Sequence, residues 1–118
     1  MTSQTNYHAG RVAEDSVSQA YSRQGKTFAA ARWRGKGGEI DLIYRDGDAV
    51  IFVEVKKSKT HARAAEMVKQ RQIQRIFNAA SEFVANEPNG QLTEMRFDVA
   101  LVDSTGAVEV LENALMAA

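Results

Sequence analysis

The sequence predicts one α/β domain, a mixed sheet flanked by helices in the order αβββαββ. Three observations carry that prediction. Two strand-like segments meet at Asp46-Gly47-Asp48, a hairpin turn. Amphipathic stretches at helical spacing lie before the first strand and between the third and fourth. The length, 118 residues with 44% hydrophobic and 25% charged, suits a single domain over residues 1–118 with an ordinary core, the tail from about 112 being the least defined part.

The elements follow in order. From Gly10 to Gln24, Ala13, Val17, Ala20 and Tyr21 form an i, i+4, i+7, i+8 stripe, and Gly25 stands where a helix stops. Thr27–Trp33 reads as a strand and Gly35-Lys36-Gly37-Gly38 as a flexible turn or loose hairpin tip, with anion cradling the lesser alternative. Glu39–Tyr44 and Ala49–Lys56 complete a three-stranded meander. One long helix is predicted over Met67–Asn86, with Ile73, Ile76, Phe77, Ala80, Phe83 and Val84 on one face, and Glu87-Pro88-Asn89-Gly90 ends it. Met95–Val102 and Ala107–Leu111 are the last strands, joined by a turn at Asp103-Ser104-Thr105-Gly106, and the tail is read as adding a helical turn.

Fifteen Lys+Arg balance fifteen Asp+Glu, which at first argues against a nucleic-acid partner. The distribution reverses that inference. Between Glu54 and Arg75 seven bases face two acids, whereas from Glu82 onward seven acids face only Arg96. A locally basic side of this kind suits phosphate contact, although solvated helix faces have the same composition. With no cysteine there is no disulfide framework, thiol nucleophile or Cys-ligated metal. No apolar run is long enough to span a bilayer and Met1–Gly10 lacks an apolar signal core, so the expectation is a cytoplasmic protein with no membrane partner. Gly25-Lys26-Thr27 resembles the end of a phosphate-binding loop but lacks the first glycine and follows a helix. His8 and His61 have no third ligand at zinc spacing.

What survives is a constellation on two adjacent strands. Period-2 geometry puts Glu54 and Lys56 on one face of their strand and Ile51, Val53 and Val55 on the other. The hairpin makes Asp41 a near cross-strand neighbour of Glu54. Paired carboxylates repel unless something positive lies between them. Lys56 supplies part of that charge, and Mg²⁺ or Mn²⁺ would supply more. Such an ion beside a lysine suits phosphodiester hydrolysis. A structural Glu54–Lys56 or Asp41–Lys56 ion pair at a sheet edge is the plainer alternative.

The pattern resembles the PD-(D/E)xK, or restriction-endonuclease-like, nucleases, and more closely the bacterial YraN family, related to archaeal Holliday-junction resolvases. The resemblance rests on His8-Ala9-Gly10-Arg11-Val12-Ala13-Glu14, Arg34 through Gly38-Glu39-Ile40-Asp41-Leu42-Ile43, Phe52-Val53-Glu54-Val55-Lys56, Lys69-Gln70 and Arg96-Phe97-Asp98-Val99. It implies that Asp41, Glu54 and the Val55 carbonyl are metal ligands and Lys56 the catalytic lysine. Glu14 would complete the acidic pocket, and Gln70 would meet the scissile phosphate or a metal-bound water. Arg34, Lys36, Lys57, Lys59 and Lys69 would contact the nucleic-acid backbone. Ser58 stands where the family commonly has an arginine, so the local phosphate contact falls to Lys57 and Lys59. Asp98 is expected to be structural, paired with Arg96. The implied activity is endonucleolytic, on branched or damaged DNA; a nucleic-acid-binding or adaptor module of the same fold is the alternative. Two-fold junctions suit a homodimer, for which Leu115-Met116 offers apolar surface.

Overall fold

Alternating apolar residues and the Asp46-Gly47-Asp48 turn give the chain a sheet that helices cover on both faces. The computed structural model of the chain describes residues 2–115. Helix α1 (Thr2–Arg23) leads into β1 (Thr27–Arg34), β2 (Glu39–Asp46) and β3 (Ala49–Lys57). Helices α2 (His61–Glu66) and α3 (Gln70–Val84) and a short 3₁₀ turn precede β4 (Met95–Val102) and β5 (Val108–Leu111). The five strands lie in the order β1-β2-β3-β4-β5. Only β3 and β4 are parallel, because α2 and α3 carry the chain back across the sheet between them. This mixed α/β architecture is consistent with a restriction-endonuclease-like fold.

Two cores form, one per face. On one, Ala13, Val17 and Tyr21 of α1 pack on Leu42, Tyr44, Ile51, Val53, Ala100 and Val102. On the other, Ala64 of α2 and Ile76, Ala79, Ala80 and Val84 of α3 pack on Ile43, Val50, Phe52, Val99 and Leu101. Burial on both faces explains why Val50–Val53 is a continuous apolar run.

The structure corrects four expectations. The second helix is two helices, so the order is αβββααββ. Thr60 caps α2 by accepting the Arg63 N–H at 3.1 Å, and the chain turns at Met67-Val68-Lys69, where Lys69 is extended, before α3 restarts. The predicted apolar face of α3 packs on the sheet. Helix α1 begins at Thr2 rather than near Gly10. The Gly35–Gly38 turn is not loose. The N–H groups of Lys36 and Gly37 each donate at 2.8 Å to the Glu82 carboxylate, and a Cβ at Gly37 would lie 2.6 Å from that of Asn78 on α3. The anion cradled there is the protein's own. Finally, the tail adds a turn but no helix among the described residues, and Leu115 is buried in the core, so it offers no docking surface. Met116 lies outside the described residues.

Candidate active site

The Asp46↔Ala49 pair closes the β2–β3 hairpin, and the ladder runs from there to Leu42↔Val53. One step further Asp41 and Glu54 would oppose each other, but the ladder ends before them. The Val55 N–H donates instead to Asp41 Oδ2 at 2.8 Å. A carboxylate has taken the place of a backbone carbonyl, and the strands part around it. Charged side chains thus occupy this end of the two strands, beyond the apolar segments Leu42–Tyr44 and Val50–Val53.

Glu54 is 4% exposed. Burial, followed by the hydrogen bond and like charge of Asp41, pushes its pKa up to about 9, against the opposing pull of Lys56. Lys56 Nζ lies 3.4 Å from Glu54 Oε2, and the Gln72 side-chain amide on α3 donates to the same oxygen. Glu54 therefore has a cation and an amide on one side and a second carboxylate on the other. Near neutral pH Glu54 therefore keeps a proton that an exposed glutamate would release.

Glu14 reaches the same neighbourhood from α1. Burial and the charge of Asp41 raise its pKa, while Arg32 lowers it. Its Oε1 lies 2.5 Å from Arg32 Nη1. Arg32 stands opposite Asp41, between the pairs Ala31↔Leu42 and Trp33↔Ile40. Glu14 is accordingly near Asp41 but turned to an arginine.

Among the described residues, no three His, Asp or Glu side chains converge as a ready-made metal site. Asp41 and Glu54 form a two-carboxylate donor set, hard in character and short of positive charge, at the open end of a strand pair. That set fits Mg²⁺ or Mn²⁺, which commonly take one or two carboxylates and complete their shell with water and substrate oxygens.

The remaining site residues scatter around this end of the sheet. Gln70 is exposed at the first position of α3, so the glutamine that touches Glu54 is Gln72. Lys69, which precedes α3, and Lys57 and Lys59, which follow Lys56, are exposed. Arg34 is exposed and 3.2 Å from Glu39, and Lys36 sits on the turn fastened to Glu82. Sequence reasoning missed Gln72 and Arg32. The phase of α3 would have indicated Gln72 had the helix start been known. For Arg32, with φ +48°, no local signal existed. Asp98 is structural as expected: fully buried, it accepts two bonds from Arg96, at 2.9 and 2.8 Å, one from Tyr21 Oη at 2.6 Å, and one from the Asn113 N–H at 2.8 Å.

Comparison with known proteins gives a consistent picture. The profile of the uncharacterised protein family UPF0102 matches residues 13–102, which include every strand except β5. A UPF0102 protein of Cereibacter sphaeroides is 58% identical over 117 residues, covering 99% of this chain and 100% of that protein. One from Ruegeria pomeroyi is 59% identical over 109 residues, 92% of this chain and 89% of that protein. One from Dinoroseobacter shibae is 46% identical over 108 residues, 92% and 81% of the two chains.

Proposed function

The chain belongs to the UPF0102 (YraN) family, and we propose that it is a divalent-metal-dependent endonuclease hydrolysing phosphodiester bonds of branched or damaged DNA. The observation that carries this reading is the Asp41–Glu54 pair. Two carboxylates are held together at the parting of two strands, with a lysine against one of them. A purely structural ion pair would need one acid for Lys56. The second acid leaves the site short of positive charge, a deficit that a proton on Glu54 meets and that a divalent cation would meet in its place.

Asp41 and Glu54 would hold that cation, with the Val55 carbonyl as a further oxygen donor. When bound, it supplies a Lewis acid that polarises a phosphoryl oxygen and acidifies water. The chain's own groups do the rest. The Val55 N–H fixes the Asp41 carboxylate, and Gln72 fixes that of Glu54. The Lys56 ammonium, with its side chain 15% exposed and 3.4 Å from Glu54, would stabilise charge growing on the phosphoryl oxygens. Lys57, Lys59 and Lys69 are exposed around the same end and would hold the flanking backbone.

The direct test incubates the protein with branched, flapped and duplex DNA in Mg²⁺ or Mn²⁺, alongside Asp41→Ala and Lys56→Ala. Cleavage by wild type alone is expected. Equal cleavage by wild type and Asp41→Ala removes the proposed site. Salt-sensitive binding with no cleavage in either metal makes the protein a binding module instead.

A further inference from the structure

The neighbourhood of Asp41 continues beyond the sheet. Between α1 and the edge strand β1 runs a groove of about 260 Å³, whose walls carry Arg11, Glu14, Asp15, Ser18, Phe28 and Arg32. Two of its features set it apart from ordinary surface. Phe28 is 54% exposed, with its ring edge-on to Tyr44 at 5.8 Å between centroids, so a rigid aromatic stands open at the groove. Arg32 adopts a left-handed backbone, φ +48°, which non-glycine residues rarely occupy and which tends to be kept where a side chain is being aimed.

Groove and catalytic centre share a wall. Arg32 stands opposite Asp41 in the β1–β2 register, and Glu14, which Arg32 binds, feels the Asp41 charge. Glu14 engages one nitrogen of a guanidinium that has five donor hydrogens, and the Arg32 side chain is 42% exposed. An open aromatic ring beside an arginine is the chemistry that takes a nucleotide: the ring stacks on a base and the guanidinium meets a phosphate. Glu14 and Asp15 offset the two arginines, so the groove is not a general track for duplex backbone. Within a duplex, moreover, both faces of a base are already stacked.

We propose that this groove is a subsite for one unpaired nucleotide of the substrate strand, with its base against Phe28 and its phosphate on Arg32. The inference rests on the endonuclease reading and narrows its substrate class to DNA carrying a single-stranded segment beside the cut, such as a flap or gap.

The test titrates a flapped duplex and a blunt duplex of the same sequence, without divalent cation so that no strand is cut. The proteins are wild type, Phe28→Ala, Phe28→Trp and Arg32→Gly. Phe28→Ala should weaken binding to the flapped DNA about tenfold and to the blunt duplex less than about twofold, whereas Phe28→Trp keeps wild-type binding. Glycine suits the left-handed backbone at position 32, so Arg32→Gly keeps the fold while lowering the salt slope for the flapped DNA by about one. Unchanged binding in Phe28→Ala and Arg32→Gly, or the same loss on both DNAs, overturns the subsite. Wild-type cleavage in Mn²⁺ is read beside these titrations. If wild type cleaves while the Phe28 and Arg32 variants keep its substrate preference, only the subsite fails. If wild type neither binds nor cleaves, the endonuclease reading fails and the subsite with it.

Discussion

Asp98 and Glu54 are both buried carboxylates on neighbouring parallel strands, one register step apart: Asp98 pairs with Val53, and Glu54 with Val99. They face opposite sides of the sheet and have opposite surroundings. Asp98, toward α1, accepts four hydrogen bonds from Arg96, Tyr21 and the Asn113 backbone, which tie helix, sheet and C-terminal segment together. Glu54, toward α3, has Gln72 and Lys56 on one oxygen and Asp41 beside it. Burial alone therefore does not make a carboxylate functional. A saturated one fastens the fold, whereas one left beside a second acid is the one proposed to take a cation.

The sharpest way to break this contrast is to neutralise one acid on each side. Asp41→Asn keeps an oxygen for the Val55 N–H but removes the charge, and cleavage should fall by at least about a thousandfold. Its melting temperature should hold near neutral pH and rise above about pH 9, where Glu54 is ionised and loses a like charge beside it. Asp98→Asn should do the reverse. It strands Arg96 and costs about 3 kcal/mol, on the order of 10 °C in melting temperature, while the cleavage rate of the folded fraction changes little. Thermal melts beside single-turnover cleavage check both. A destabilised Asp41→Asn, or an Asp98→Asn that folds normally but cannot cut, would erase the distinction.

A smaller effect separates the two sides by pH. In the folded chain the Glu54 pKa is raised from 4.5 to about 9, and that of Glu14 is raised as well. Between the two Glu54 values the folded state holds a proton that the unfolded chain releases. The stability this contributes is complete below about pH 4.5 and is lost as pH climbs toward 9. Melts in chelator should therefore fall from pH 5.5 to 8.5 in wild type and flatten in Glu54→Gln. Mn²⁺ should reverse the wild-type slope, since the cation takes the place of the proton. A wild-type profile already parallel to that of Glu54→Gln would show that Glu54 is ionised throughout.

The readable half of this contrast lay in strand periodicity. Asp46-Gly47-Asp48 fixes the hairpin, and counting back from it sets Asp41 against Glu54 and puts Lys56 on the same face as Glu54. The resemblance added Glu14, and the structure brings it near Asp41. What stayed hidden depended on contacts distant in sequence. Met67 and Val68 continue the apolar pattern of α3 with no glycine or proline between them, so the break before Gln70 had no local mark. Glu82, 46 residues beyond Lys36, turns a glycine-rich stretch from a loose tip into a fastened one. The left-handed backbone of Arg32 had no glycine to announce it.

The hidden break also supplies the finest test, because it decides which glutamine serves the site. A helix continuous through Met67–Asn86 gives no reason to prefer one glutamine over its neighbours. Restarted after Lys69, α3 leaves Gln70 exposed on its first turn and sets Gln72, two residues or about 200° further round, against Glu54. Gln72 orients a proposed ligand without being one, and partners of that kind commonly change metal affinity by about tenfold or more. Gln72→Ala should therefore weaken Mn²⁺ binding about tenfold by calorimetry, and Gln70→Ala by less than about twofold. Loss in Gln70→Ala with none in Gln72→Ala would mean that α3 turns on its axis when the cation binds. In that case Glu54, unlike Asp98, would sit on a surface that rearranges to work.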